Sequence, residues 1–99
     1  ASGIINGVEP ATGKVAATLE DQCRYMFAHM KRIVEASGGS TDDILKVTVW
    51  LKDRGQRDAL NQEWVKMFPD PATRPARHAM RADLEGGILV QCDFMAVIG

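Results

Sequence analysis

The chain has 99 residues, with 45% hydrophobic and 25% charged side chains, which is the composition of an ordinary soluble globular domain. Its 12 basic and 13 acidic side chains leave a net charge of −1, so no overall field attracts it to nucleic acid or membrane. No apolar run approaches the roughly 20 residues that span a bilayer. The opening ASGIINGVEP lacks the basic segment of a signal peptide. We therefore expect one cytoplasmic domain over 1–99.

The first long element in the sequence is a helix. Residues 2–14 before it resemble the end of a strand followed by a turn rich in proline and glycine. The helix is predicted from Thr18 to Ser37, because Thr18 and Asp21 have the spacing of an N-terminal cap and Gly38 supplies a stop. Apolar side chains recur on one helical face at Leu19, Cys23, Met26, Phe27, Met30, Ile33 and Val34.

The hydrophobic period changes to alternation over residues 44–53, which predicts a strand. Its apolar face is predicted to contain Leu45, Val47, Val49 and Leu51, and its mixed face Lys46, Thr48, Trp50 and Lys52. Residues 56–68 return to helical spacing, and Pro69 ends this second helix. A proline-rich loop then leads to a short strand at 77–82.

The last strand, predicted over 88–98, is apolar on both faces. One face contains Ile88, Val90, Cys92, Phe94, Ala96 and Ile98, and the other contains Leu89, Gln91, Asp93, Met95 and Val97. A strand of this kind must be covered on both sides. Two helices can cover only one face of so small a sheet, so the pattern predicts an oligomer that covers the other.

Several common kinds of site are excluded or disfavoured by the same sequence. The glycines match no nucleotide-binding fingerprint, and two histidines are too few for a zinc cluster within one chain. Cys23 and Cys92 fall in a helix and a strand, so we interpret both as reduced core residues. His29 is expected to be structural or on the surface. The basic residues lack interleaved stacking aromatics, which disfavours nucleic-acid binding.

One arginine differs from the other basic residues. In RPARHAM, residues 74–80, Arg77 follows a Pro-Ala pair that restricts the backbone, and it opens a strand. A guanidinium held in this way suits bidentate capture of a carboxylate. The alternative, which the sequence leaves open, is a structural salt bridge to Asp83, Glu85 or Asp93.

Several motifs together resemble those of one family. They are SGIING…PATGKV, KRIVEASGGSTDDILKVTVWLKD, LNQEW…FPD, RPAR and the closing apolar strand. In this order they resemble the Rid family, the YjgF-like reactive-intermediate deaminases that are also labelled L-PSP endoribonucleases. The resemblance runs from Ser2 to Val97 and begins after the family's opening strand. It implies a chorismate-mutase-like α+β fold, with a mixed sheet and two helices packed on one face. It further implies a homotrimer with a ligand pocket in each cleft between subunits.

The resemblance also implies a reaction and a site. Water attacks a small imine or enamine derived from an amino acid and releases ammonia and a 2-oxo acid, with no metal or organic cofactor. Arg77 would hold the carboxylate of this ligand, and Asn61 of the second helix would support it. Ser2 and Gly3 would line the pocket. Ala79 stands where catalytic members have a cysteine.

A second departure from the family concerns the catalytic base. Gln91 aligns with a glutamate that orients or activates water, and glutamine has no basic site near pH 7. Asp93 shares strand parity with Gln91 and is a substitute candidate, while His78 neighbours Arg77 without an assigned role. Three hypotheses remain: a deaminase, a small-carboxylate-binding protein with little turnover, and, last, an endoribonuclease, for which the sequence offers no acid–base couple.

Overall fold

A computed structural model describes residues 5–53 and 55–98, so the predictions for Ser2 and Gly3 lie outside the described residues. Neither of the two α-helices described is long and apolar enough to cross a membrane. In chain order the elements are β1 (Ile5–Asn6), β2 (Val8–Glu9), β3 (Lys14–Val15), α1 (Leu19–Ala36), a short 3-10 helix (Thr41–Asp43), β4 (Ile44–Leu51), α2 (Asp58–Met67), β5 (Ala76–Arg81) and β6 (Val90–Ala96).

Four strands form one mixed sheet in the order β1, β6, β4, β5, while β2 pairs with β3 in a separate hairpin. β4 is antiparallel to β6 and parallel to β5. Because parallel neighbours need a crossover connection, the chain passes through α2 between β4 and β5. Both helices share one core with the buried face of the sheet. The predicted mixed sheet with two helices on one face is therefore confirmed.

α1 begins and ends close to its predicted limits. The Thr18 Oγ1 accepts a hydrogen bond from the Asp21 backbone N–H at 3.2 Å, which satisfies one donor that the first turn leaves unpaired. After the last turn, Gly38 has a φ of +92°, a conformation that other residues rarely adopt. The predicted core-facing side chains are buried, except Ile33, which is half-buried.

One buried polar side chain in α1 was not predicted by the hydrophobic period. Gln22 is fully buried. Its Nε2 donates to the carbonyl oxygens of Ala16 at 2.9 Å and Gly87 at 3.0 Å, and its Oε1 accepts from the Leu89 N–H at 2.8 Å. These bonds tie α1 to the segment before it and to the loop that leads into β6.

The start of β4 differs from its prediction. Leu45 was expected in the core, but it is 52% exposed, and Ile44 is buried in its place. The cause is a bulge: Ile44 pairs with Ala96 of β6 and Lys46 pairs with Met95, so β4 has one extra residue between these pairs. From Val47 onward the alternation is as predicted.

β6 is shorter than its prediction because both ends of the apolar run leave the sheet. The Ile88 N–H donates to the Glu85 carbonyl oxygen in a turn, and Ile98 lies beyond the last strand residue. Within the strand, the core face is as predicted: Val90, Cys92 and Phe94 are buried, and the partly buried Ala96 packs against the core.

The other side of the sheet is covered by neither α1 nor α2. We call this side the open sheet face, and the strand pairings assign to it Asn6, Lys46, Thr48, Trp50, Ala76, His78, Met80, Gln91, Asp93 and Met95. Its apolar members include Met95, which is 58% exposed. Within β6 the open side carries Gln91, Asp93 and Met95, so the apolar character predicted for this face is limited there to Met95.

The two cysteines are buried and free, as predicted. Cys23 lies on α1 and Cys92 on β6, and both belong to the core between helices and sheet. Burial, reinforced by nearby negative charge, raises the pKa of each thiol to about 12. Both therefore behave as small apolar core residues at neutral pH.

Candidate functional site

Arg77 lies near the start of β5, the edge strand of the sheet. It pairs in register with Val47, which is buried in the core, so its side chain points to the helix side. There its Nη1 donates a hydrogen bond to the Asn61 Oδ1 at 2.9 Å. Its Cζ lies 5.0 Å from the centroid of the Trp64 ring, within the range of a cation–π contact. Two side chains of α2 therefore hold the guanidinium in place.

The structural salt bridge that the sequence left open for Arg77 is not formed within the described residues. The ion pairs among them are Arg24–Asp21, Lys66–Glu63 and Arg81–Asp83. Burial lowers the pKa of Arg77, and the positive charge of Arg57 lowers it further. A neighbouring carboxylate would shift the pKa in the opposite direction. The guanidinium is thus a partly buried cation whose surroundings favour the arrival of an anion.

Arg77 borders an open depression of about 430 Å³ at the sheet edge, which we call the Arg77 depression. The other described residues that line it are Arg57, His78, Ala79 and Met80. Ala79 is in register with the buried Val49, so it lies on the same side of β5 as Arg77. His78 points to the opposite side, as its strand position predicted. Because β5 is an edge strand, side chains from both of its faces can line the Arg77 depression.

The sequence analysis did not assign Arg57 or Trp64 to the site. Arg57 directly precedes α2, and Trp64 lies within it, where it also packs edge-on against Phe27 in the core. Arg57, Asn61 and Trp64 are spaced four and three residues apart, which places all three on one helical face. This spacing was the signal that could have predicted their common position beside Arg77.

Gln91 is not brought next to Arg77 within one chain. It pairs with Trp50 on β4 and with Asn6 on β1, so it lies on the open sheet face. Asp93 pairs with Thr48 on the same face. β4 separates these positions from β5, and the strand parity turns them to the side opposite Arg77. The structure therefore unites Arg77, Asn61 and Ala79, and places Gln91 and Asp93 elsewhere.

His29 has a structural contact, in agreement with its prediction. Its Nε2 lies 2.7 Å from the carbonyl oxygen of Val8. A carbonyl oxygen only accepts, so Nε2 carries the proton in this bond. The contact fastens α1 to the β2–β3 hairpin, away from the residues that line the Arg77 depression.

The geometry around Arg77 is suited to binding an acid. A guanidinium has five N–H donors, and Asn61 accepts from one nitrogen, so a carboxylate can bind through the others. Cation–π contact and burial fix its orientation before any ligand arrives. Fold and site together define a small α+β protein with a cationic depression at the edge of a mixed sheet.

The sequence matches the endoribonuclease L-PSP family over residues 1–98. The chain therefore belongs to this family, the Rid or YjgF-like proteins. A 2-iminobutanoate/2-iminopropanoate deaminase of Salmonella typhimurium is 35% identical over 92 residues, which cover 91% of this chain and 72% of that protein. The chloroplastic Reactive Intermediate Deaminase A of Arabidopsis thaliana is 31% identical over 93 residues, which cover 92% of this chain and 49% of that protein.

Solved structures show the same fold. The structure of Escherichia coli TdcF with bound serine matches 99% of this chain and 79% of that chain, with a TM-score of 0.88 and 28% identity. The YjgF gene product of Escherichia coli matches 97% of this chain and 77% of that chain, with a TM-score of 0.86 and 31% identity. The predicted YjgF-like α+β fold is therefore confirmed.

Proposed function

We propose that this protein hydrolyses small 2-imino or enamine acids to 2-oxo acids and ammonia, in clefts between the subunits of a homotrimer. Membership in the Rid family supports the reaction class, and one relative, 35% identical, is named as a 2-imino acid deaminase. The likeness to a structure that holds serine supports a ligand whose nitrogen is attached to the carbon that bears the carboxylate.

The observation that carries the proposal is the state of Arg77. Its guanidinium is held by Asn61 and Trp64 and is paired with no acid among the described residues. The ligand carboxylate would supply the missing negative charge. Ala79, on the same side of β5, leaves room for the reacting carbon. Ser2 and Gly3 are assigned to the pocket wall by the family resemblance.

The reaction requires only water as a second reactant. The water oxygen adds to the imine carbon and one water proton is transferred to the nitrogen, which gives a carbinolamine. The carbinolamine hydroxyl then gives its proton to the nitrogen, and the C–N bond breaks to release ammonia and leave the 2-oxo acid. Gln91, if a neighbouring subunit brings it to the cleft, can orient the water but cannot take its proton. We therefore expect a rate below that of a relative with a glutamate, by about 10²–10⁴-fold.

The direct test generates 2-iminobutanoate from threonine with a dehydratase and follows 2-oxobutanoate release above the spontaneous rate. Acceleration that is lost in Arg77→Gln and retained in Arg24→Gln supports the proposal. Arg24 is a suitable control because its guanidinium sits in an exposed ion pair with Asp21 on α1. No acceleration by micromolar protein, with a relative that carries the glutamate as positive control, would contradict the deaminase.

A second candidate, a protein that binds small carboxylates with little turnover, is favoured by the neutral Gln91. This candidate shares the Arg77 site with the deaminase and differs from it only in catalysing little hydrolysis of the bound ligand. In Gln91→Glu the new carboxylate can take a proton from water, so this candidate predicts an increase of at least about 10²-fold in deaminase rate. Gln62→Glu, on the exposed side of α2, adds the same charge elsewhere and is the control. An unchanged rate would argue against Gln91 as the position of the lost base.

A further inference from the structure

We propose that Arg74 is a positioning residue for Arg77: it fixes α2 against the start of β5 and thereby sets the affinity of the site for a carboxylate. This inference rests on the proposed function, because it concerns how the same site holds its ligand. Of the two arginines in the RPAR segment, residues 74–77, the proposed function uses only Arg77. Arg74 is not among the described residues that line the Arg77 depression, so it would act through the fold and not by contact with the ligand.

Arg74 binds the C-terminal end of α2. Its Nε donates a hydrogen bond to the Phe68 carbonyl oxygen at 2.6 Å, and its Nη2 lies 3.5 Å from the Pro69 carbonyl oxygen. Phe68 directly follows the last residue of α2, where carbonyl groups lack partners within the helix and the helix dipole is negative. Arg74 forms none of the ion pairs among the described residues, so its guanidinium is directed at the end of this helix.

Two aromatic rings connect this contact to Arg77. The Phe68 ring lies 4.7 Å from the Trp64 ring, centroid to centroid, with 58° between their planes. The Trp64 ring in turn lies 5.0 Å from the Cζ of Arg77. Both aromatic residues are buried, with 7% of their surface exposed. Because buried side chains are closely packed, a displacement of Phe68 also moves Trp64, and with it the surface on which the guanidinium rests.

The loop between α2 and β5 has little freedom to absorb such a displacement. Residues 68–75 include three prolines, each of which restricts the backbone. Within the loop the Ala72 N–H donates to the Asp70 Oδ1 at 2.9 Å, and the Thr73 N–H donates to the Asp70 carbonyl oxygen at 3.2 Å. The bond from Arg74 to the end of α2 closes this loop. Without that bond, the site would lose a constraint that orients its guanidinium before a ligand arrives.

The test compares two cations near the end of α2. Arg74→Met removes the charge and the donors but keeps an unbranched side chain, and we expect it to raise the Kd of 2-oxobutanoate by about fivefold in calorimetric titration. Lys66→Met removes a cation from the last turn of α2 whose partner is Glu63 of the same helix, and it should leave the Kd unchanged. Arg74→Lys keeps a cation and a donor for the Phe68 carbonyl oxygen, so it should restore most of the affinity.

Tryptophan fluorescence tests the route from Arg74 to Arg77. The sequence has two tryptophans, so Trp50→Phe leaves Trp64 as the single one. Trp50 lies on the open sheet face, on the side of the sheet opposite α2. In this background Arg74→Met should shift the Trp64 emission to longer wavelength as its packing on Phe68 loosens, and Lys66→Met should not. A raised Kd with unchanged Trp64 emission would overturn the proposed route.

The outcomes separate this inference from the function on which it rests. If Arg77→Gln weakens binding while Arg74→Met leaves the Kd unchanged, or while Lys66→Met raises it equally, the positioning role is overturned and the carboxylate site stands. A Kd in Arg74→Lys as high as in Arg74→Met would overturn the role too. Binding that is indifferent to Arg77→Gln contradicts the proposed function itself, and the inference with it. Urea unfolding checks that each variant is folded; if Arg74→Met is not, Arg74→Gln replaces it.

Discussion

At Asn61 an amide oxygen holds the Arg77 guanidinium without neutralising it, since an amide oxygen carries only a partial negative charge. The bond of 2.9 Å therefore positions the cation and leaves its charge for a ligand. A carboxylate in the same place would satisfy Arg77 internally. Under the proposed function, an amide at residue 61 in place of an acid leaves the Arg77 charge available to the ligand carboxylate.

The substitution Asn61→Asp tests this argument with almost no change in shape. The new carboxylate should form a charge-assisted bond with Arg77 and compete with ligands, raising the Kd of 2-oxobutanoate by about tenfold or more. Isothermal titration measures the change. Gln62→Glu adds the same charge on the neighbouring exposed position and should alter the Kd far less. Equal effects of the two variants would show that only overall charge matters.

At the same scale, the sequence predicted the candidate site in part. Arg77, Asn61 and Ala79 were named from motifs, and the structure brings them together. Arg57 was not singled out, because its role depends on how the start of α2 sits against the edge of β5. Gln91 illustrates a different limit: alignment names its position, but only the strand pairing shows that it faces away from Arg77.

At the scale of elements, the bonds of Gln22 connect α1 to the entry of β6. They replace interactions with water for one N–H and two carbonyl groups in the interior. Main-chain groups of this kind are costly to leave unpaired when buried. The position of β6 therefore depends partly on the side-chain amide of Gln22. The same holds for the residues that β6 contributes to the open sheet face.

We expect Gln22→Leu to lower the free energy of unfolding by about 3 kcal/mol or more, since burial of unsatisfied groups costs about 1–3 kcal/mol each. Urea unfolding followed by circular dichroism measures the loss. Gln62→Leu, on the exposed side of α2, is the matched control and should change stability little. A similar small effect of both variants would show that water replaces the lost bonds at position 22.

The elements themselves were largely predictable, because their hydrophobic patterns extend over many residues and their ends carry caps or prolines. The helix over 18–37 and the strand over 77–82 agree with α1 and β5 within one residue at each end. Leu45 was placed wrongly because the bulge depends on pairing with β6, which lies far away in sequence. The β2–β3 hairpin was interpreted as a turn only, since each of its strands has just two residues.

At the scale of the whole molecule, the open sheet face supports the proposed homotrimer. Met95 is 58% exposed on this face, on a strand whose other side is core. Met95→Lys should therefore weaken assembly, which sedimentation velocity measures as a shift toward monomer. Val65→Lys replaces another exposed apolar residue, on α2, and should leave assembly intact. A monomeric parent protein would contradict the trimer outright.

The buried cysteines predict how stability depends on alkaline pH. In the unfolded chain a cysteine thiol has a pKa of about 8.5, whereas burial raises the pKa of Cys23 and Cys92 to about 12 in the folded protein. The unfolded chain thus loses its thiol protons first, so the free energy of unfolding falls as pH rises between these values. Below the unfolded pKa the thiols have no such effect. The free energy of unfolding, measured by urea unfolding across this pH range, should fall more steeply for the parent protein than for the Cys23→Ala/Cys92→Ala double variant. Equal slopes for the two proteins would contradict this prediction.

The parallel pairing of β4 with β5 has a consequence for how such proteins diversify. Because the crossover through α2 joins these strands, Arg57, Asn61, Trp64 and Arg77 all come from residues 57–77, one contiguous stretch of 21 residues. Recombination of this short segment would exchange the side chains of the proposed anion site as a set while the remaining core stayed unchanged. Grafting it into a relative should therefore transplant ligand preference without redesign of the recipient.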